Sequence, residues 1–103
     1  MSGNYLVTYD LRDMKPSPYE AVREALISNG FYKWMNPSPG KWPHLPNTCN
    51  RGIYETIDAA DEAFKKSITA AATKIGARID VEKYVIVRYD DSVIVSNEKS
   101  DDL

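Results

Sequence analysis

The sequence predicts an α+β domain in which two helices cover one face of a four- or five-stranded sheet. Short segments rich in β-branched and aromatic residues alternate with two segments whose apolar residues recur at helical spacing. A chain of 103 residues with 43% apolar content is long enough to build one core without disulfides. Repeated strand–helix–strand crossings in so short a chain favour a ferredoxin-like β-α-β-β-α-β sandwich with an additional short C-terminal strand. We expect one domain over residues 1–96 and a frayed polar tail over 97–103.

The first strand and the first helix have clear local signals. Residues 5–9 are β-branched and aromatic, which predicts a strand. Ser17, Pro18 and Glu20 form a capping-box pattern with proline at the first helical position, so Ser17 is the expected cap. Gly30 ends the helix after Asn29. The inward face of this helix is predicted to consist of Val22, Ala25, Leu26 and Asn29.

The second half of the chain repeats this alternation. Residues 31–35 predict a second strand, residues 36–50 a proline-rich loop, and residues 51–57 a third strand. Asp58 is the expected cap of a second helix that Gly76 terminates. Residues 84–89 predict a fourth strand and residues 92–96 a short fifth strand. The buried stripe of the second helix is predicted to be Ala60, Phe64, Ile68, Ala71 and Ile75.

One face of the predicted sheet has no helix to cover it. Tyr5, Val7 and Tyr9 share one face of the first strand, and Leu6 and Thr8 share the other. The alternation does not decide which set faces outward. An apolar open face of this kind often dimerises, so we expect a homodimer.

Composition excludes several classes of function. The net charge of −2 argues against a protein that coats DNA through overall positive charge, although a local basic patch remains compatible with it. A single cysteine, Cys49, forms no intramolecular disulfide and fits a reducing compartment. No apolar run reaches the roughly 20 residues that span a bilayer. The first residues lack the pattern of a signal peptide, so we expect a cytoplasmic protein without membrane contact.

A resemblance rests on the pair Tyr9-Asp10 at the end of the first strand. This pair resembles the end of strand one in the small CRISPR-associated endoribonucleases, the second Cas protein. The order of elements is also similar to virulence-associated protein D and to SinR-like proteins. The SinR-like pattern pairs the opening Tyr9-Asp10-Leu11 with a later tryptophan, here Trp34 or Trp42, and with an alternating strand at 53–56. The chain departs from the CRISPR-associated pattern in strand two, where residues 31–35 lack that family's Arg, Gln and Ser sequence.

The resemblance implies a homodimer in which two copies of Asp10 share a divalent ion. Such a pair of carboxylates suits Mg²⁺ or Mn²⁺, and the ion would activate water and stabilise a phosphoryl transition state. Asp10 would then be both the metal ligand and the catalytic residue. The alternative is that Asp10 caps its own loop through hydrogen bonds to the backbone of residues 11–13.

A second candidate site is the segment 25–54, which contains no aspartate or glutamate. Cations for phosphate and aromatic rings for bases are the residues that bind single-stranded nucleic acid. The alternative is that the aromatic residues hold the proline-rich loop on the sheet while the cations are solvated. His44 is a possible acid or base, but it has no nucleophile pattern beside it. The candidate nucleic-acid-binding residues are Lys33, Trp34, Lys41, Trp42, His44 and Arg51.

Three functions are compatible with these features. The first is a metal-dependent endoribonuclease that uses Asp10 and binds RNA or DNA through the basic aromatic loop. The second is a homodimeric, nucleic-acid-associated protein without proven catalysis, which the departures in strand two favour. The third is a non-catalytic protein-interaction module, such as a phage or defence accessory protein. Fold alone does not decide among them.

Overall fold

The computed structural model describes residues 2–33, 48–91 and 93, together with the backbone at 42–43 and 99–100. It confirms an α+β domain with two helices and a central sheet. The elements in chain order are β1 (Gly3–Leu11), α1 (Tyr19–Ser28), β2 (Trp42–Pro43), β3 (Cys49–Tyr54), α2 (Ile57–Ile75), β4 (Val81–Tyr89) and β5 (Lys99–Ser100).

The central sheet has three strands in the order β3-β1-β4, and β1 pairs antiparallel with both neighbours. The strand predicted over 31–35 is reduced, within the described part of the chain, to one bridge between Tyr32 and Arg51. Each of these two residues donates its N–H to the other's carbonyl, with N···O distances of 2.5 and 2.8 Å. Within the described residues, the sheet therefore does not show the full four-stranded ferredoxin-like pattern. Trp34 and Met35, which complete the predicted strand, lie outside the described residues.

The alternation along β1 settles which face of the sheet is buried. Tyr5, Val7, Tyr9 and Leu11 are all less than 5% exposed and point toward the helices. They pack in one core with residues of both helices and of the segments that follow them. The residues between them in β1 lie on the opposite face, which neither described helix covers. The core residues from outside β1 are Ala21, Val22, Leu26, Phe31, Ala60, Phe64, Ala71 and Ile79.

The predicted caps of both helices were wrong, whereas the predicted end of α2 is confirmed. Pro18, not Ser17, is the N-cap of α1, and no side chain caps that end, because proline has no hydrogen-bonding side chain. Thr56, not Asp58, caps α2: its backbone is extended, and its Oγ1 accepts from Ala59 N at 3.1 Å. Gly76 ends α2 in the left-handed region at φ 68°, which favours glycine.

Strand boundaries also differ from the predicted ones. β3 starts two residues before the predicted Arg51 and ends at Tyr54, because α2 begins at Ile57. β4 begins at Val81, since its first residues pair with the end of β1. The predicted strand over 92–96 lies outside the described residues, except for Val93, which is in no strand. Within the predicted tail, Lys99–Ser100 pairs with Trp42–Pro43 in a separate two-stranded ladder.

The end of α1 lies directly against β3. A Cβ atom added to Gly52 would come within 2.5 Å of the Gly30 carbonyl oxygen, so only glycine fits at this point of β3. The Tyr54 hydroxyl donates to the Asn29 carbonyl at 2.7 Å, and Asn50 Nδ2 donates to the Phe31 carbonyl at 3.3 Å. In the described part of the chain, neither helix is long and apolar enough to cross a membrane.

Candidate functional site

The face of the sheet opposite the helices is called the open face here. The register places Leu6 of β1 between Arg51 of β3 and Val87 of β4, and Thr8 between Cys49 and Val85. Because directly paired residues share a face, these side chains form continuous rows across the sheet. The exposed aliphatic residues on this face are Ile53 at 61%, Val85 at 55% and Val87 at 43%. The open face therefore carries exposed aliphatic side chains next to a cation, Arg51, in its β3 strand.

Asp10 lies at the end of β1, on the rim of the open face. Its carboxylate is exposed, and its Oδ2 is 4.0 Å from Lys83 Nζ on the paired strand. The register shifts between Asp10 and Leu11, where the strand leaves the ladder. A shallow groove beside Asp10 is also lined by the acidic residues Asp13 and Glu82.

The structure does not show Asp10 capping the backbone amides of the two residues that follow it. Leu11 N donates to the Tyr19 hydroxyl at 3.3 Å, and Arg12 N donates to the Asp80 carbonyl at 2.9 Å. Within the described residues, however, no group of three or more His, Cys, Asp or Glu side chains is placed to hold a metal ion. In the part of the chain that the structure describes, one protomer thus offers Asp10 as an accessible oxygen ligand but no group of three ligands placed around one ion.

The predicted nucleic-acid-binding residues separate into two places. Arg51 is on the open face, where its guanidinium lies 5.4 Å from the centre of the Tyr32 ring. Lys33, the next residue after Tyr32, instead lines a cavity beside α1. Trp34, Lys41 and His44 lie outside the described residues, and Trp42 is described only through its backbone in β2.

The cavity that contains Lys33 was not predicted from the sequence. It measures about 200 Å³ and lies between the end of β1, the first half of α1 and the start of β3. Burial raises the pKa of the Tyr9 hydroxyl to about 12 and also raises the pKa of the Cys49 thiol, so both groups are protonated at neutral pH. Its lining residues are Tyr9, Tyr19, Arg23, Lys33, Thr48, Cys49 and Asn50.

Part of this cavity could have been recognised from the sequence. Tyr19 and Arg23 are four residues apart on α1, so the helix places them side by side. Thr48 adopts a left-handed backbone with φ 60°, an uncommon conformation for a β-branched residue and one often found at functional sites. What brings these groups to Lys33 is the packing of α1 on the sheet, which no local pattern encodes.

A scan against protein-family models found no matching family, and searches of curated proteins and of solved structures found no match. The resemblance carried by Tyr9-Asp10 therefore stays a prediction.

Proposed function

We propose that this chain is a small, homodimeric, nucleic-acid-associated protein that acts through its open face in the cytoplasm. The observation that carries this proposal is the composition of that face: exposed aliphatic side chains on β4, and a cation–π pair on the β3 side. The two halves suit different partners. The aliphatic half suits a second copy of the chain, and the cationic aromatic half suits single-stranded nucleic acid.

The Arg51–Tyr32 pair is the proposed contact for single-stranded RNA or DNA. A guanidinium over an aromatic ring offers a flat surface on which bases stack and a charge that attracts phosphate. Their mutual backbone bridge fixes the main chain of both residues, so binding would need to order only their side chains. Lys41, Trp42, Trp34 and His44 remain proposed contributors on the evidence of the sequence pattern alone.

The aliphatic half of the open face is the proposed dimer contact. Val85 and Val87 are exposed on the same face as Leu6, and contiguous exposed apolar surface commonly marks an interface. A dimer formed here would bring two copies of the rim residue Asp10 nearer to each other. Two such carboxylates would supply oxygen ligands for Mg²⁺ or Mn²⁺, and the described residues of one protomer contain no group of three or more ligands placed to hold such an ion.

The ferredoxin-like fold is part of the same proposal. With Tyr32 counted as a rudimentary strand, the antiparallel order is β4, β1, β3 and then Tyr32. This order agrees with a β-α-β-β-α-β sandwich whose second strand is short. The kinship with CRISPR-associated and virulence-associated proteins is proposed on this order and on Tyr9-Asp10.

The experiment that tests nucleic-acid binding is fluorescence anisotropy with labelled single-stranded RNA and DNA at several salt concentrations. Arg51→Gln should weaken binding and lower the salt slope by about 1, because one phosphate contact is lost. Arg51→Lys keeps the charge but loses the planar stacking, so it should restore the salt slope without restoring full affinity. Lys66→Gln, an exposed cation on α2, is the control and should bind like wild type.

The second candidate, a metal-dependent endoribonuclease, is tested with the same RNA in Mg²⁺ or Mn²⁺. Cleavage that Asp10→Asn abolishes, with binding retained, would establish the catalytic role of Asp10. Binding without cleavage would support a nucleic-acid-associated protein and contradict the endoribonuclease. Wild-type protein that binds neither RNA nor DNA would refute the proposed function and favour the protein-interaction module.

A further inference from the structure

We propose that the cavity between the end of β1, α1 and the start of β3 is a binding site for a phosphoryl dianion. This site is distinct from the Arg51–Tyr32 pair and does not depend on the proposed function. It combines two cations, a buried hydroxyl without a partner in the described residues, and walls fixed by hydrogen bonds.

The charge of the cavity is positive. Arg23 and Lys33 both line it, both are half-buried, and no aspartate or glutamate is among the described residues that line it. Neither cation forms an ion pair with any residue that the structure describes. Two half-buried cations without a counter-charge attract an anion strongly, because surrounding protein reduces solvent screening. A guanidinium also offers paired N–H donors that match the oxygens of a phosphate group.

The Tyr9 hydroxyl adds a donor that no described residue uses. Tyr9 is only 4% exposed, and its ring packs against Phe64 with 5.8 Å between the ring centres. Its hydroxyl forms no hydrogen bond within the described part of the chain. Buried hydroxyls nearly always have a partner, so one that no described residue uses, at the wall of a cationic cavity, is a donor suited to a bound anion. The raised pKa of Tyr9 keeps this hydroxyl protonated and able to donate.

The walls of the cavity are held in place. The Tyr19 hydroxyl donates to the Leu11 carbonyl at 3.2 Å and accepts from the Leu11 N–H at 3.3 Å. Asn50 is 2% exposed and is tied through Nδ2 to the Phe31 carbonyl. Tyr9 N also donates to the Thr48 carbonyl at 3.2 Å, which fixes the start of β3 against β1. A volume of about 200 Å³ has room for a tetrahedral oxyanion together with bridging water.

The shared chemistry of the ligand is a terminal phosphoryl group carrying two negative charges. Such a group occurs as inorganic phosphate, on a nucleoside monophosphate, and at the phosphorylated end of an oligonucleotide. The cavity does not distinguish these sources, but a binding experiment with one probe of each kind does.

The experiment is isothermal titration of the full chain with inorganic phosphate, at an ionic strength matched with sodium chloride. Arg23→Gln and Lys33→Gln should each weaken phosphate binding by about tenfold or more, because each removes a charge-assisted hydrogen bond. Lys66→Gln is the matched control and should bind phosphate like wild type. If wild type does not bind phosphate, or if all of these variants bind it equally, the proposal is wrong.

Tyr9→Phe separates binding from folding. It keeps the ring against Phe64 and removes only the buried hydroxyl, so the ligand-free variant should unfold at the same denaturant concentration as wild type or a higher one. Its phosphate affinity should nevertheless fall. A variant that is destabilised without phosphate, yet binds phosphate normally, would show that the hydroxyl is structural.

Two further probes identify the source of the phosphoryl group and keep this proposal distinct from the proposed function. A nucleoside monophosphate and the matching nucleoside should differ in affinity, and so should 5′-phosphorylated and 5′-hydroxyl oligonucleotides if a strand end enters the cavity. Arg51→Gln should leave phosphate binding unchanged. Loss of phosphate binding in Arg51→Gln would mean that the open face, and not the cavity, holds the anion.

Discussion

At the scale of single residues, the contact between Tyr84 and Asp61 makes the stability of the protein depend on pH. The Tyr84 hydroxyl donates to Asp61 Oδ1 at 2.6 Å, and Lys65 Nζ lies 2.9 Å from Asp61 Oδ2. The hydrogen bonds from Tyr84 and Lys65 hold the pKa of the Asp61 carboxyl below its usual value. Because the folded-state pKa is lowered, the stabilisation is present at neutral pH and is lost as pH falls through that pKa.

Tyr84→Phe should therefore reduce the acid sensitivity of folding. The variant should lose less free energy of unfolding than wild type when the pH is lowered below about 4, the usual aspartate range. Because the pair is largely exposed, we expect a difference of less than about 1 kcal/mol. Chemical denaturation from neutral to acidic pH measures it. Parallel stability curves for the two proteins would contradict this prediction.

At the scale of secondary-structure elements, Thr56 determines where α2 begins. Thr56→Ala removes the acceptor for Ala59 N and should lower the free energy of unfolding by about 1 kcal/mol. Thr69→Ala is the matched control, because Thr69 is exposed in the middle of α2 and alanine is the better helix former. It should leave stability unchanged or raise it slightly. Urea denaturation distinguishes the two, and a larger loss in Asp58→Ala than in Thr56→Ala would restore the cap predicted from the sequence.

Local patterns predicted the elements of this fold better than their ends. The helical spacing of Ala60, Phe64 and Ala71 correctly predicted the buried side of α2, because the period of a helix fixes which residues share a face. The cap of α2 was mispredicted because Thr56 and Asp58 are both suitable N-cap residues, and only the exit of the preceding chain selects one. The cap of α1 was mispredicted because this helix begins one residue later than the Ser17 pattern indicates.

The sequence predicted candidate site residues only where the relevant property is local in the chain. Asp10 was found because it ends a strand, a local property. Its distance from Lys83 depends on the β1–β4 register, which the sequence alone did not provide. The cavity was missed for the same reason, since Arg23 and Lys33 are separated by the turn after α1 and meet only through packing. Long-range pairing, not residue chemistry, was the missing information.

At the scale of the whole molecule, the open face predicts the oligomeric state. Val87→Asp places a charge in the apolar half of this face and should convert a dimer into a monomer, because the buried charge would have no partner. Ile57→Asp is the control: Ile57 is similarly exposed, but it lies in the first turn of α2, where an acidic residue is tolerated. Light scattering coupled to gel filtration measures the mass. A mass that is the same in wild type and Val87→Asp would remove the proposed dimer.

The close approach of Gly52 to Gly30 also has a consequence for the internal motions of the chain. Where two backbones touch directly, there is no side chain between them that can rearrange and let one segment open alone. The bonds from Tyr54 to Asn29 and from Asn50 to Phe31 add to this contact on either side. The last turn of α1 and the middle of β3 should thus form one cooperative opening unit, with amide protons that exchange with solvent at a common rate.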